Sequence, residues 1–462
     1  MTDQMQDHYK SINPSTGEVF ATYDRASLST IEAKLSLADK AYRSWSSVSH
    51  NDRALCFNRF ADALEANRDE LALLAAREMG KPIRDGRAEI SKCASLCRHY
   101  ALEGEAILTP RCTEVDEGRV TLIYQPLGLI FSVTPWNFPF WQILRAAIPM
   151  MVSGNVVLNK PAPNVIGCAH AIVEIAESVN IPKGVLQTIN TDNDQSADVI
   201  KDPRVKGVAL TGSEVAGASV ARTAGGALKK SVLELGGSDP FIVIGDADVA
   251  AAAAAAAQSR FTNAGQVCIA SKRLIVAADV ADRFTDAFLA ESQRFTPALP
   301  EEETTRLGPM ARYDLRDQLD DQATRTIASG ADVVLRGGVV EGPGFFYAPT
   351  ILRDAATASP ALSEETFGPL ATIVRVGSEA ELIEAANRTD FGLSANIWTR
   401  DEERALHLAQ RIEAGSVFIN TTTASDPRFP FGGIGRSGYG RELGAEGVYE
   451  FCNLKTIRIH YI

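Results

Sequence analysis

Apolar residues recur at helical spacing near the start of the chain: Ile31, Leu35, Ala38, Tyr42 and Trp45 follow one another at steps of four and three. On a helix these positions form one stripe, so the segment is predicted to be amphipathic. Ser29, with Glu32 three residues later, reads as its capping box. A second helical tract runs from about 53 to 79 with a break near Asn67, and Gly80 followed by Pro82 supplies the stop. A third spans about 84–108, so the first hundred residues read as helices. The pattern then changes. Short β-branched apolar runs at 128–133, 156–158, 184–189 and 205–210 alternate with helical tracts at 166–179 and 216–224. Such alternation predicts β-α-β units, a mostly parallel sheet and helices on both faces. A second alternation follows, with strands near 241–244, 273–276, 332–335, 371–376 and 416–419 and a helix near 282–295. Two successive α/β halves with a cleft between them are expected. The alanine run at 250–257 predicts a strong helix that packs closely on its neighbours.

A chain of 462 residues exceeds the size at which one core stops growing, roughly 250–300 residues, which agrees with two or more domains. The net charge of −12 argues against a nucleic-acid partner, because neutralising phosphates needs a basic face. Any cationic pocket must be local, built from a few placed arginines. The start, MTDQMQDHYKS, lacks a basic end followed by an apolar run, so no secretory signal is expected. The most apolar stretch, 127–154, is interrupted by Pro135, Asn137, Pro139, Arg145 and Pro149, too broken for a span of about 20 apolar residues. Seven cysteines without C-x-x-C spacing favour free thiols in a reducing compartment, hence the cytoplasm. The six histidines show no metal-ligand spacing, and no metal site is expected.

Candidate chemistry begins with Cys268, in FTNAGQVCIASKR, between a predicted helix and a predicted strand and just after Gly265. A loop thiol beside a glycine can approach a ligand closely, although a cysteine is more often simply a buried small hydrophobe. Cys56, Cys93, Cys97 and Cys168 fit that plainer reading, within helical patterns. A thiol nucleophile needs a base, and no histidine lies in a recognisable motif. Glu234 is the better candidate. It ends an apolar run before Gly236 and Gly237, where burial would raise its pKa toward base-competent values. The alternative is a carboxylate held by backbone amides at the glycine turn. Asn137, stiffened between Pro135 and Pro139, is either a buried hydrogen-bonding amide or a donor aimed at a reacting oxygen. The turn Leu210-Thr211-Gly212-Ser213 before a helical tract could face a pyrophosphate, though the G-x-G-x-x-G pattern is missing.

Taken together these segments resemble the aldehyde dehydrogenase superfamily over almost the whole chain. PWNFP, Asn-Lys-Pro at 159–161, TGS at 211–213, ELGG at 234–237, GQVC at 265–268, EETFGP at 364–369 and PFGG at 430–433 stand in the family's order and spacing. The resemblance implies an α/β fold: a Rossmann-type cofactor domain (1–110 and 127–234), an α/β catalytic domain (235–440), and a small β oligomerisation element (111–126 and 441–462) that makes a homodimer or homotetramer. It implies that Cys268 attacks the aldehyde as a thiolate, that the Asn137 amide and the Cys268 N–H hold the oxyanion, and that hydride leaves for the nicotinamide. Glu234 would then activate the water that hydrolyses the thioester. Lys160 and Glu365 match ribose-binding positions, and Thr211, Gly212 and Ser213 match the turn beneath the pyrophosphate. Trp136, Leu235 and Phe367 match residues around the cofactor.

Where relatives strict for NAD carry a glutamate that repels a 2′-phosphate, this chain has Pro163; the expectation is NAD+ with NADP+ tolerated. Among family members the chain looks most like the short bacterial succinate-semialdehyde dehydrogenases. Arg145 matches a carboxylate-binding arginine, Ser425 a second substrate contact, and Trp141 a pocket wall; a guanidinium fork suits a distal carboxylate. The plainer reading of Arg145 is a structural ion pair at a helix surface. A second substrate arginine of some relatives is Thr262 here, and a second cysteine near the nucleophile is Ala270. The rival substrates are glutarate semialdehyde or a broad range of aldehydes, since one methylene is worth only about 1–3 kcal/mol of discrimination. A rival of another class is a non-catalytic ligand-binding protein on the same fold.

Overall fold

The computed structural model describes residues 8–461. The leader reading at residues 1–7, and Ile462 at the end of the last apolar-polar alternation, lie outside the described residues. Two large sheets organise the chain. The first runs Gly438–Tyr439, Lys230–Glu234, Val205–Thr211, Leu129–Thr134, Val156–Pro161, Leu186–Thr188, parallel except for the first pair. The second runs Asp332–Leu335, Thr350–Arg353, Leu370–Val376, Arg273–Ala277, Pro240–Val243, Ser394–Trp398, Ser416–Ile419, parallel except for its first strand. Central strands are covered on both faces by helices, so Ile130, Phe131, Val157, Val208, Ile242 and Ile275 have no exposed surface. This is why their sequences read as unbroken apolar runs. A third, antiparallel sheet joins Arg111–Val115, Gly118–Pro126 and Cys452–His460.

The alanine run lies in the helix Val249–Phe261, where Ala252, Ala253, Ala256 and Ala257 form the buried face. Small side chains there let the helix Ala281–Ser292 pack closely alongside. Gly80, in the left-handed conformation, ends the helix Arg68–Met79, and Asn67 separates it from His50–Ala66.

Three expectations differ. The first amphipathic helix, Leu28–Trp45, is capped by Ser27, whose hydroxyl accepts from the Thr30 amide, so Ser29 lies inside the helix. The first hundred residues are not all helical, because His8–Ile12 and Val19–Asp24 form an antiparallel hairpin. That hairpin fully buries only Ser11 on its first strand, with Tyr9 and Ile12 half-buried, and has no sustained apolar alternation to read. The helix Trp141–Val152 crosses the proline-interrupted segment and is buried on every side, Pro149 included. The prolines of this segment, rather than a lack of apolar pattern, mask the helix in the sequence. Among the described residues no helix is long and apolar enough to cross a membrane.

Candidate active site

Cys268 follows three consecutive residues with positive φ: Asn263 at 55°, Ala264 at 55° and Gly265 at 69°. Non-glycine residues there are strained, and such strain persists only where the surroundings fix it. Here two clamps do so. Asn263 Nδ2 donates to the Asn137 carbonyl at 2.8 Å, and Asn137 Nδ2 donates to the Gln266 carbonyl at 2.9 Å. Arg260, fully buried, donates to the Gly265 carbonyl at 2.9 Å and to the Thr366 and Gly368 carbonyls, tying the thiol loop to the EETFGP segment. The turn after Asn137 is itself held by Glu89 of the helix Ile83–Leu108, which accepts from the Phe140 and Trp141 amides at 2.9 and 2.8 Å. Glu89 pairs with the buried Lys81, whose ammonium also covers the Phe138 ring.

Cys268 opens into a cavity of about 330 Å³ that Trp141, Arg145, Ser425 and Thr262 also line. The chain therefore brings the predicted nucleophile and all three predicted substrate residues to one hollow. A second hollow, about 430 Å³, lies beside Asp246, Asp279 and Glu379 and holds no thiol. Burial pushes the Cys268 thiol up to about 11, while Arg145 and Lys272 pull it down. Lys272 is itself buried, donating to the Cys268 carbonyl at 3.0 Å, to Glu365 at 2.6 Å and to the Gly237 carbonyl.

Glu234 ends the strand Lys230–Glu234 and is 2% exposed. Burial drives its carboxyl far above the usual carboxylate range, Glu442 adds to this, and Arg145 and Arg441 oppose it. Its Oε1 is buried without a hydrogen-bond partner. The Gly237 amide serves Glu365 at 3.0 Å rather than Glu234, so the glycine turn does not hold this acid in its charged form. Neither Glu234 nor Asn137 lines the cavity itself. Asn137 is joined to the thiol loop through its bond to the Gln266 carbonyl, which leaves one amide hydrogen free of that bond.

Arg145 is buried, not at a helix surface. Its guanidinium is in ion contact with Glu442, donates to Thr211 Oγ1 at 3.3 Å and lies 4.7 Å from the Phe431 ring centre. The guanidinium is thus partly engaged by the protein, through Nε beside Glu442 and Nη2 on Thr211. Sequence reasoning singled out neither Glu442 nor Lys272, nor Lys92, which donates to Ser425 Oγ at 2.7 Å and sits 4.1 Å from the Trp141 ring centre. Lys272 stands in the quoted FTNAGQVCIASKR segment, four residues after the thiol, and was the one with a readable signal.

The predicted cofactor residues gather at the carboxyl ends of the first sheet, where open α/β sheets bind ligands. Lys160 lies near the end of the strand Val156–Pro161 and Pro163 follows it; burial lowers the Lys160 pKa, and it makes no ion pair among the described residues. Ser213 caps the helix Glu214–Gly226, accepting from the Ala216 amide at 3.4 Å. The Gly212 amide donates to the Glu234 carbonyl, so contact with an anion would fall to the first amides of that helix. Trp136 and Phe367 meet edge to face at 5.7 Å, and Leu235 packs behind with Leu210 and Leu233. Among the described residues no group of His, Cys, Asp or Glu side chains gathers as metal ligands.

Two mostly parallel α/β sheets thus flank a loop thiol that opens into a cavity. A profile of the aldehyde dehydrogenase family matches residues 1–457, and the chain belongs to that family. It is 45% identical over 457 residues to the succinate semialdehyde dehydrogenase [NAD(P)+] Sad of Escherichia coli, covering 99% of each chain. It is 44% identical over 449 residues to a probable succinate-semialdehyde dehydrogenase [NADP(+)] of Synechocystis, covering 97% of this chain and 99% of the other. The succinic semialdehyde dehydrogenase of Streptococcus pyogenes, crystallised with NADP+, superposes with a TM-score of 0.96 at 36% identity, covering 98% of this chain and all of that one.

Proposed function

We propose that the chain is a cytoplasmic enzyme that oxidises succinate semialdehyde to succinate with NAD+ or NADP+. The reading is carried by the cavity in which Cys268 shares its walls with Trp141, Arg145 and Ser425. The residues present fit a dinucleotide: an unpaired Lys160, a helix N-terminus capped by Ser213, and the apolar Trp136–Phe367 edge. When bound, that group supplies the hydride acceptor. The protein's own part is as follows. Cys268, as thiolate, adds to the aldehyde carbonyl carbon; the free Asn137 amide hydrogen and the Cys268 N–H hold the oxygen. Glu234, kept away from bulk water, takes a proton from the water that hydrolyses the thioester.

No carboxylate stands at Pro163 to repel a 2′-phosphate, which supports acceptance of both dinucleotides. The division into a cofactor part (1–110 and 127–234), a catalytic part (235–440) and bridging strands (111–126 and 441–462) goes with this reading, with one refinement. Gly438–Tyr439 returns to the cofactor sheet, pairing with Lys230–Glu234. The exposed Leu454, Ile457 and Ile459 on the strand Cys452–His460 support a homo-oligomer built through the third sheet.

The test is reduced-nicotinamide absorbance with succinate semialdehyde and each dinucleotide in parallel. Product is expected with the intact chain and is lost in Cys268→Ser. Equal turnover by that variant refutes the mechanism.

A further inference from the structure

A distal carboxylate buried in a pocket needs a cation that is not already neutralised. Arg145 is a poor candidate as it stands, since Glu442 contacts its guanidinium and Thr211 accepts from it. Thr262 offers only a hydroxyl, and that hydroxyl exchanges hydrogen bonds with Gln258 at 2.6 and 2.7 Å. Lys92 remains. It projects from the helix Ile83–Leu108 into the same cavity as Cys268, over the face of Trp141 and onto the hydroxyl of Ser425. Among the described residues it has no carboxylate at ion-pair distance. The two acids that line the cavity do not cancel it. Glu89 is committed to Lys81 and two backbone amides, and Asp85 lies 3.7 Å from the Arg84 guanidinium.

We propose that Lys92 is the specificity-determining cation of the pocket, holding the substrate's distal carboxylate together with the Ser425 hydroxyl. The proposal rests on the semialdehyde reading above. An ammonium has three donors, so it can keep the Ser425 contact and still meet a carboxylate oxygen. Trp141 presents the negative face of its ring to the same ammonium and confines where the head can go. Arg145, which lines the same cavity, also faces Glu442 and Glu234 and so offers the substrate a cation already partly balanced.

Titration provides an independent handle. Burial lowers the Lys92 pKa to about 8 and Arg145 pushes the same way, whereas Cys93, Glu89 and Asp426 oppose them. Above that pH the head is neutral and the anion loses its partner. Turnover of every aldehyde also depends on the Cys268 thiol, which titrates higher. Dividing kcat/KM for succinate semialdehyde by kcat/KM for butanal, an uncharged aldehyde of equal carbon number, removes that shared dependence.

The experiment measures this ratio for the wild type, Lys92→Met and Lys92→Arg, each verified as folded by circular dichroism. In the wild type the ratio should favour the semialdehyde and fall as pH passes about 8. In Lys92→Met it should drop by about 10- to 100-fold, chiefly through KM, as loss of a charged hydrogen bond predicts, and lose its pH dependence. Lys92→Arg should restore most of it. A ratio unchanged in Lys92→Met, or equal losses on both aldehydes, overturns the role of Lys92. A wild type that prefers butanal overturns instead the semialdehyde reading on which it rests.

Discussion

Replacing Lys272 with methionine keeps the stem of the side chain and deletes a buried ammonium that binds Glu365, the Gly237 carbonyl and the carbonyl of Cys268 itself. With the thiol held at about 11, roughly one molecule in a thousand carries a thiolate at pH 8. An ammonium taken to be about 6 Å from the sulfur, at an effective dielectric near 20, is worth about 3 kcal/mol. Glu365 pulls in the opposite sense and is partly open to solvent, so it can rehydrate once the lysine is gone. The net loss then lies between about 1 and 3 kcal/mol, which lowers the thiolate population by about 5- to 150-fold. The assay is alkylation of Cys268 by iodoacetamide, followed by peptide mass spectrometry from about pH 7 to about pH 10. Lys272→Met should shift the rate profile to higher pH by roughly one unit. A folded variant that alkylates at the wild-type rate, or faster, would refute the claim that Lys272 stabilises the thiolate.

Further outcomes follow from other contacts. A Cβ at residue 265 would lie 2.5 Å from the Gly368 carbonyl oxygen on a backbone with φ of 69°. Gly265→Ala should therefore displace the thiol loop and reduce kcat more than about tenfold; retention of wild-type turnover would show that the loop is not so constrained. Burial raises Asp239 from its ordinary 3.8 to about 7, against the pull of Lys272 and the Ser394 hydroxyl. The folded chain then holds this proton longer than the unfolded one, so stability decreases as pH rises from about 4 to about 7 and levels off above. Relative to Asp239→Asn, the wild type should lose about 2–3 kcal/mol between pH 5 and pH 7 in urea titrations. Parallel profiles for the two proteins would contradict the raised value.

The alternation of β-branched runs with helical tracts made both parallel sheets legible, because central strands buried on both faces carry their signature in composition alone. Strands such as Thr350–Arg353 and Ser394–Trp398 were less visible, being short and set among turns. The helix Trp141–Val152 was harder to read because it follows two prolines and contains a third, Pro149. Cys268, Trp141, Arg145 and Ser425 were each readable, and they do share one cavity. What could not be read is which cation answers which acid. Arg145 meets Glu442 across nearly 300 residues of chain, and Lys92 meets Ser425 across 333. Such pairings depend on how two elements cross in space, and nothing in either local segment encodes them.

The reciprocal amide bonds between Asn137, Asn263 and Gln266 have a consequence for how this enzyme can be dissected. Trimming Asn137 to alanine removes the proposed donor to the reacting oxygen and, in the same stroke, one strut of the twisted backbone that presents the sulfur. A rate deficit in that variant is a composite of lost charge stabilisation and a mis-aimed nucleophile. The two contributions separate only if thiol reactivity toward a small electrophile is followed beside turnover, since the first leaves that reactivity alone and the second does not.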